Sequence, residues 1–223
     1  MAGLTENEIM TKPVVYQTDS GEVSLTVGMI KQFLAVGSKP ISMKEAIVFM
    51  QLCKFNGLNP FVRDAYLIKF GEDASMVTSK NAIMKRLVAT TGYKGHKAGI
   101  IVLVSGEMIK REGTIILNEE LIGGWAEVYM EGKLPIYADA MLSEYIGKTK
   151  KGEINKNWRE RPATMIRKVA LMAAAREAAP GKLGSLYSED EFPENTGLQQ
   201  QFIGTAPGAQ QTQDSDQAND EDG

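Results

Sequence analysis

All 25 lysines and arginines lie at or before Lys182, and beyond about Glu194 the chain is Gln, Gly, Asn, Asp, Ser, Thr and Ala with few large apolar residues. Such a segment cannot bury enough surface to offset the entropy of ordering it, so residues 194–223 are expected to be a disordered acidic tail. Whatever folds must come from the preceding residues, a length that suits one ordinary domain. Residues 1–22 are polar and without a clean period and are expected to be a loose N-terminal arm. That leaves 23–193 as the core domain.

Composition removes several classes of function. The longest apolar run, Gly99 to Val104, is too short to span a bilayer, so no membrane association is expected. The opening residues MAGLTENEIM lack the basic and apolar regions of a secretory signal. One cysteine, Cys53, rules out a disulfide framework and suits a reducing cytoplasm. One histidine, His96, beside that single cysteine excludes a Cys/His metal cage. No catalytic triad or acid/base pair assembles, and neither a cofactor nor a metal is expected; the chain reads as a binding protein and not an enzyme.

Charge is unevenly spread. Residues 1–132 balance at 14 basic against 14 acidic side chains, while residues 133–182 hold 11 basic against 5 acidic. Nine acids then follow from Ser188 onward. A basic window on a neutral scaffold points to a polyanion.

The periodicity predicts a mixed fold. Leu25, Met29, Phe33 and Leu34 suggest a helix over Val23–Val36. Ser42-Met43-Lys44-Glu45 is a capping box opening a second helix, stopped at Gly57. Asn59-Pro60 is a turn expected to aim Phe61 into the core. A strand over Ala65–Phe70, a turn at Gly71-Glu72-Asp73 and a strand over Ser75–Thr78 form a hairpin. A helix over Lys80–Thr90 follows, then strands over Ile100–Val104, Thr114–Leu117 and Trp125–Met130. Ile136–Ile146 fits a fourth strand or a short helix. Lys148–Trp158 is a basic loop, and Pro162 opens an alanine-rich helix that runs to Ala179. In the N-terminal segment, Val14, Val15 and Tyr16 are candidates for docking on a neighbouring subunit.

Two motifs invite other chemistry. Gly147-Lys148-Thr149 resembles the end of a phosphate loop, but Leu142 stands where that loop needs glycine. Glu127, Glu131 and Lys133 have the spacing of a metal-dependent nuclease, which is the alternative reading, although Gly132 in a polar pair before Pro135 is the ordinary chemistry of a hairpin turn.

The richest region runs from Lys148 to Arg176. It holds Lys148, Lys150, Lys151, Lys156, Arg159, Arg161, Arg167, Lys168 and Arg176, with Trp158 among them. Arg167, Lys168 and Arg176 are expected to share one flank of the helix after Pro162, opposite Met165, Val169, Met172 and Ala173. A cationic flank can track phosphates, and guanidinium suits bidentate phosphate contact. Lys80, at the start of its helix, joins these as a candidate nucleic-acid contact.

Leu52-Cys53-Lys54-Phe55-Asn56-Gly57-Leu58-Asn59-Pro60-Phe61 followed by Ala65-Tyr66-Leu67-Ile68 resembles the signature of the phage single-strand annealing proteins, the RecT and lambda beta (Bet) group. Trp158, Pro162, Met165, Ile166, Arg167, Lys168, then Ala175-Arg176 and Ala178, resemble that group's second block. The resemblance spans roughly Ser24 to Phe192. It implies an α+β fold, a small antiparallel sheet with a hairpin flanked by helices. It implies ATP-independent binding and annealing of single-stranded DNA in homologous recombination, by a helical or ring homo-oligomer that holds the annealed duplex intermediate. A phage exonuclease and host single-strand binding protein are the implied partners, in the cytoplasm of a bacterial host. Ala163 stands where lambda beta has a basic residue, and the tail is too short for the partner-binding domain that lambda beta carries, so neither contact is carried over.

Overall fold

The computed structural model describes residues 5–69, 74–149, 151–188 and 191. The tail expected at 194–223 lies outside the described residues. The class is α+β, built from three small sheets and a set of helices. A helix α1 (Glu6–Thr11) precedes a hairpin of β1 (Val14–Thr18) and β2 (Gly21–Leu25). Residues 5–22 of the expected loose arm are therefore structured. Its period is that of a strand: Tyr16 pairs with Val23 and both are buried, and the Tyr16 hydroxyl donates to the Leu58 carbonyl at 2.9 Å. Tyr16 thus docks inside its own subunit.

The helix expected over Val23–Val36 is shorter. Val23 and Leu25 alternate with Glu22 and Ser24, which selects a strand, and α2 (Val27–Met29) begins only after Thr26 caps it. It continues into a wide turn over Ile30–Leu34 that leaves Phe33 exposed. Strand β3 (Ala35–Gly37) pairs in parallel with β4 (Ala65–Lys69), which pairs antiparallel with β5 (Ser75–Thr78). The turn expected at Gly71-Glu72-Asp73 lies outside the described residues.

Between β3 and β4 runs α3 (Met43–Phe55), opened by the expected capping box: Ser42 Oγ accepts from Glu45 N, and the Glu45 carboxylate accepts from Ser42 N. The signature at its C-terminal end is an architectural joint. Gly57 takes φ +57, the left-handed conformation that ends α3. Leu58 is wholly buried, Asn59 Oδ1 accepts from Phe61 N at 3.0 Å, and Pro60 begins a single turn over Pro60–Val62. Phe61 itself is 49% exposed, because Leu58 occupies the core position expected for it. Arg86, from α4 (Lys80–Val88), donates to the carbonyls of Asn56 and Gly57 and so satisfies the orphan acceptors at the end of α3. Buried Asp64 accepts from Asn59 N, and its own carbonyl accepts from Ser79 N at 2.9 Å. The joint therefore fixes where α4 starts.

The main sheet has the order β7-β6-β8-β9 and is antiparallel throughout. Its strands are β6 (Tyr93–Val104), β7 (Glu107–Arg111), β8 (Glu120–Met130) and β9 (Ile136–Met141). The strand expected at Thr114–Leu117 is displaced to β7. Ser105 and Gly106, both at positive φ, form a two-residue turn that pairs Val104 with Glu107, so the hairpin closes before residue 114. The ambiguous stretch after Pro135 resolves into both possibilities, β9 and then α5 (Leu142–Tyr145). The basic loop contains an antiparallel bridge between Lys148 and Ile154 and ends in α6 (Lys156–Glu160).

Helix α7 (Pro162–Ala178) lies on the inner face of this sheet, against Ala98, Ile100, Ala126, Val128 and Ala140, all buried. It is followed by α8 (Pro180–Leu183). The sequence suggests one apolar face for α7, but Met165, Ile166, Val169, Ala170, Leu171, Met172, Ala174, Ala175 and Ala178 are all buried. A helix apolar on nearly all sides is a core element. The alanines make it thin, and Gly124 lets it approach: a Cβ built there would lie 2.5 Å from the Ile166 carbonyl oxygen and 3.0 Å from Arg167 N. The helix backbone thus rests directly on β8 at the turn that carries Arg167.

Candidate nucleic-acid interface

Lys80 and Arg167, 87 positions apart in sequence, are brought together with Lys168 and His96. Lys80 is the first residue of α4, whose N-cap Ser79 accepts from Ala82 N at 3.1 Å. Arg167 and Lys168 come from α7. The Arg167 Nε–H donates to the Ala98 carbonyl at 3.0 Å, which anchors the guanidinium at the edge of β6. His96 extends from the same strand, and its Nδ1 lies 2.6 Å from the Tyr93 hydroxyl.

The electrostatics are those of like charges held close together. Burial, then repulsion from Arg167 and Lys168, holds the Lys80 ammonium below the usual lysine range. Burial, then Arg167 and Lys80, holds His96 below the usual imidazole value. Among the described residues no carboxylate pairs with Lys80 or with the terminal nitrogens of Arg167. The free N–H groups at the start of α4 add partial positive charge. A polyanion relieves this repulsion.

The remaining candidates divide. Arg159 and Arg161 are exposed at the junction of α6 and α7, and six residues separate Arg161 from Arg167, about 9 Å along the axis. Lys148, Lys151 and Lys156 are exposed on the preceding loop and α6, while Lys150 lies outside the described residues. Trp158, buried to 3% exposure, is a core residue beneath them. Its indole explains Gly147: a Cβ there would sit 2.9 Å from Trp158 Cδ1 and 2.5 Å from Asn155 Nδ2, so this glycine serves packing.

Arg176 does not share the cluster. Nine residues of helix place it half a turn from Arg167, on the side where it pairs with Glu191, reaches the Leu186 carbonyl and stacks on the Tyr187 ring at 4.5 Å. The single flank expected for Arg167, Lys168 and Arg176 is thus split.

The RecT family profile matches residues 20–201. The chain belongs to the RecT family. It is also similar to the uncharacterized protein UU154 of Ureaplasma parvum serovar 3, with 24% identity over 174 residues, covering 78% of this chain and 70% of that protein. As a RecT-family chain it falls among the single-strand annealing proteins of phage-type DNA recombination. Among its described residues no helix is long and apolar enough to cross a membrane.

The nuclease alternative is not favoured in this RecT-family chain. The Glu127 carboxylate accepts from the Tyr129 hydroxyl, and exposed Glu131 pairs with Lys94 at 3.0 Å. Among the described residues no three His, Cys, Asp or Glu side chains converge as a metal site would require. Sequence reasoning missed His96 and Tyr93 as neighbours of the cationic cluster. Local pattern held no signal for them, because the contact depends on docking β6 against α4 and α7.

Proposed function

We propose that this RecT-family chain binds single-stranded DNA through its phosphates and anneals complementary strands without ATP, as a filament or ring of identical subunits. The observation that carries the reading is the meeting of Lys80 and Arg167, with no carboxylate partner among the described residues, beside Lys168 and the start of α4. Exposed Arg159, Arg161, Lys148, Lys151 and Lys156 extend the basic surface along α6 and its loop.

Annealing needs no bond to be made or broken in the DNA backbone. It needs phosphate repulsion neutralised while the bases stay free to pair, so backbone contacts with little sequence preference suit it. One subunit supplies few contacts; an oligomer turns them into a multivalent array. With about five phosphates neutralised per subunit, affinity falls about a hundredfold between roughly 50 and 200 mM salt. A phage-type exonuclease that exposes the single strand and host single-strand binding protein are the proposed partners, in the cytoplasm of a bacterial host.

The test is a strand-annealing assay with complementary oligonucleotides in chelator, without nucleotide. Faster annealing than in protein-free buffer, slowed by Lys80→Ala or Arg167→Ala, supports the proposal. No acceleration, or acceleration that both variants retain, overturns it. Shortened oligonucleotides on adding Mg²⁺ would revive the nuclease reading.

A further inference from the structure

The last described segment passes the start of α4 before it ends on Arg176. The Tyr187 carbonyl accepts from Thr78 N at 2.9 Å, two residues before Lys80. Two residues of extended backbone cover about 7 Å, so the last described segment is tied within a short distance of the α4 start. Ser188 holds it further: its N–H and hydroxyl donate to Glu191 Oε1 at 2.7 and 2.8 Å, and the other Glu191 oxygen pairs with Arg176 from α7. The exit point is therefore fixed on the body.

The remainder of the chain has the opposite charge to the cluster. Residues 192–223 contain six acids, Glu194, Asp214, Asp216, Asp220, Glu221 and Asp222, and no lysine or arginine. Five of the six fall in the last ten residues. The 23 residues from Glu191 to Asp214 span up to about 75 Å when extended, so the acidic terminus reaches Lys80 with slack. Tethering gives it an effective concentration on the order of millimolar.

We propose that the acidic segment Asp214–Asp222 docks on the Lys80–Arg167 cluster of its own subunit and competes there with the DNA backbone. The inference rests on the phosphate-binding reading of that cluster. Its consequence is a threshold: a strand held by one subunit must displace the tail, whereas a strand held by many does so collectively. Stray single contacts are suppressed and assembled ones are not.

The experiment keeps the full chain. Asp214→Asn, Asp216→Asn, Asp220→Asn, Glu221→Gln and Asp222→Asn are combined, and binding to a poly-thymidine oligonucleotide is measured by fluorescence anisotropy. At about 50 mM salt the neutralised chain should bind roughly threefold to tenfold more tightly, and the gain should vanish near 300 mM. The same neutralisation in a Lys80→Ala background should give less than about half that gain on a logarithmic scale, because the two changes share one contact. Unchanged affinity at low salt overturns the proposal. So does an equal gain in both backgrounds, which would mean general charge repulsion with no docking at this site. The underlying reading fails separately: if Lys80→Ala and Arg167→Ala alone leave affinity unaltered, the cluster is not the DNA site, whatever the tail does.

Discussion

Arg176 and Glu191 form an ion pair at the far end of α7 with only 16% and 4% of their side chains exposed, and this pair fastens the last described residue to the central helix. Removing one member leaves a buried charge without its partner, a change that costs about 3–5 kcal/mol. Arg176→Ala should therefore lower the urea midpoint while leaving the salt dependence of DNA binding as it was. A reduced salt slope at unchanged stability would return Arg176 to the DNA surface.

Lys80 behaves in the opposite sense. Its charge is opposed by burial and by two neighbouring cations, so removing it relieves the folded protein while weakening its hold on DNA. Lys80→Met keeps the apolar stem. Near 300 mM salt, where the proposed tail contact is screened, the variant should melt at or above the temperature of the parent, and its plot of log affinity against log salt should flatten by about 0.7, the loss of one single-strand phosphate contact. A lower melting temperature would mean that Lys80 has a stabilising partner in the fold.

Glu45 gives the fold an acid-sensitive point. Burial alone would raise its pKa, but the Lys69 ammonium at 2.7 Å, the Ser42 N–H and hydroxyl and the Ala74 N–H outweigh burial and hold it at about 2. Its folded pKa is thus depressed relative to the unfolded chain. The stability it contributes, on the order of 2 kcal/mol, is present above the unfolded value and is lost as pH falls from about 5 toward 2. Glu45→Gln should lower stability at neutral pH and flatten the fall of the urea midpoint through that window. An identical pH profile in the variant would sink the assignment.

Gly124 tests the seating of α7. A methyl group there meets the Ile166 carbonyl at 2.5 Å, a backbone atom that cannot swing aside. Gly124→Ala should destabilise the protein by roughly 1–3 kcal/mol and, by lifting the turn that carries Arg167, also weaken DNA binding. Wild-type stability in denaturant would show that the helix can shift without cost.

Local signals were legible where one element settles its own conformation. The Ser42 capping box, the Gly57 stop, Pro162 at the start of α7 and the period of α4 all stand where the sequence suggests. Signals that depend on tertiary choice were not. Phe61 and Leu58 are both apolar and three positions apart, and only the path of the turn decides that Leu58 goes in. Arg167 and Arg176 look equivalent in composition; one faces Lys80 and the other Glu191 because α7 is buried on nearly every side and its few polar positions must each find a separate outlet. The cluster itself joins α4, β6 and α7, so no sequence window contains it.

His96 supplies the last prediction. It lies near Arg167 and Lys80, its strand carries exposed Lys94 and Lys97, and its Nδ1 is engaged with Tyr93, whose hydroxyl burial pushes upward. Burial and the two cations keep its pKa below the usual 6.5, so the ring is neutral in free protein at neutral pH. A DNA phosphate seated on the cluster offsets the positive field and raises that pKa. The bound state then takes up a proton that the free state lacks, so affinity must grow as pH falls. Single-strand affinity should therefore rise as the pH is lowered from neutrality. His96→Gln, which keeps a polar side chain but cannot titrate, should remove most of that rise. A pH profile that the glutamine variant reproduces would show that His96 faces the cluster without sensing the bound phosphate.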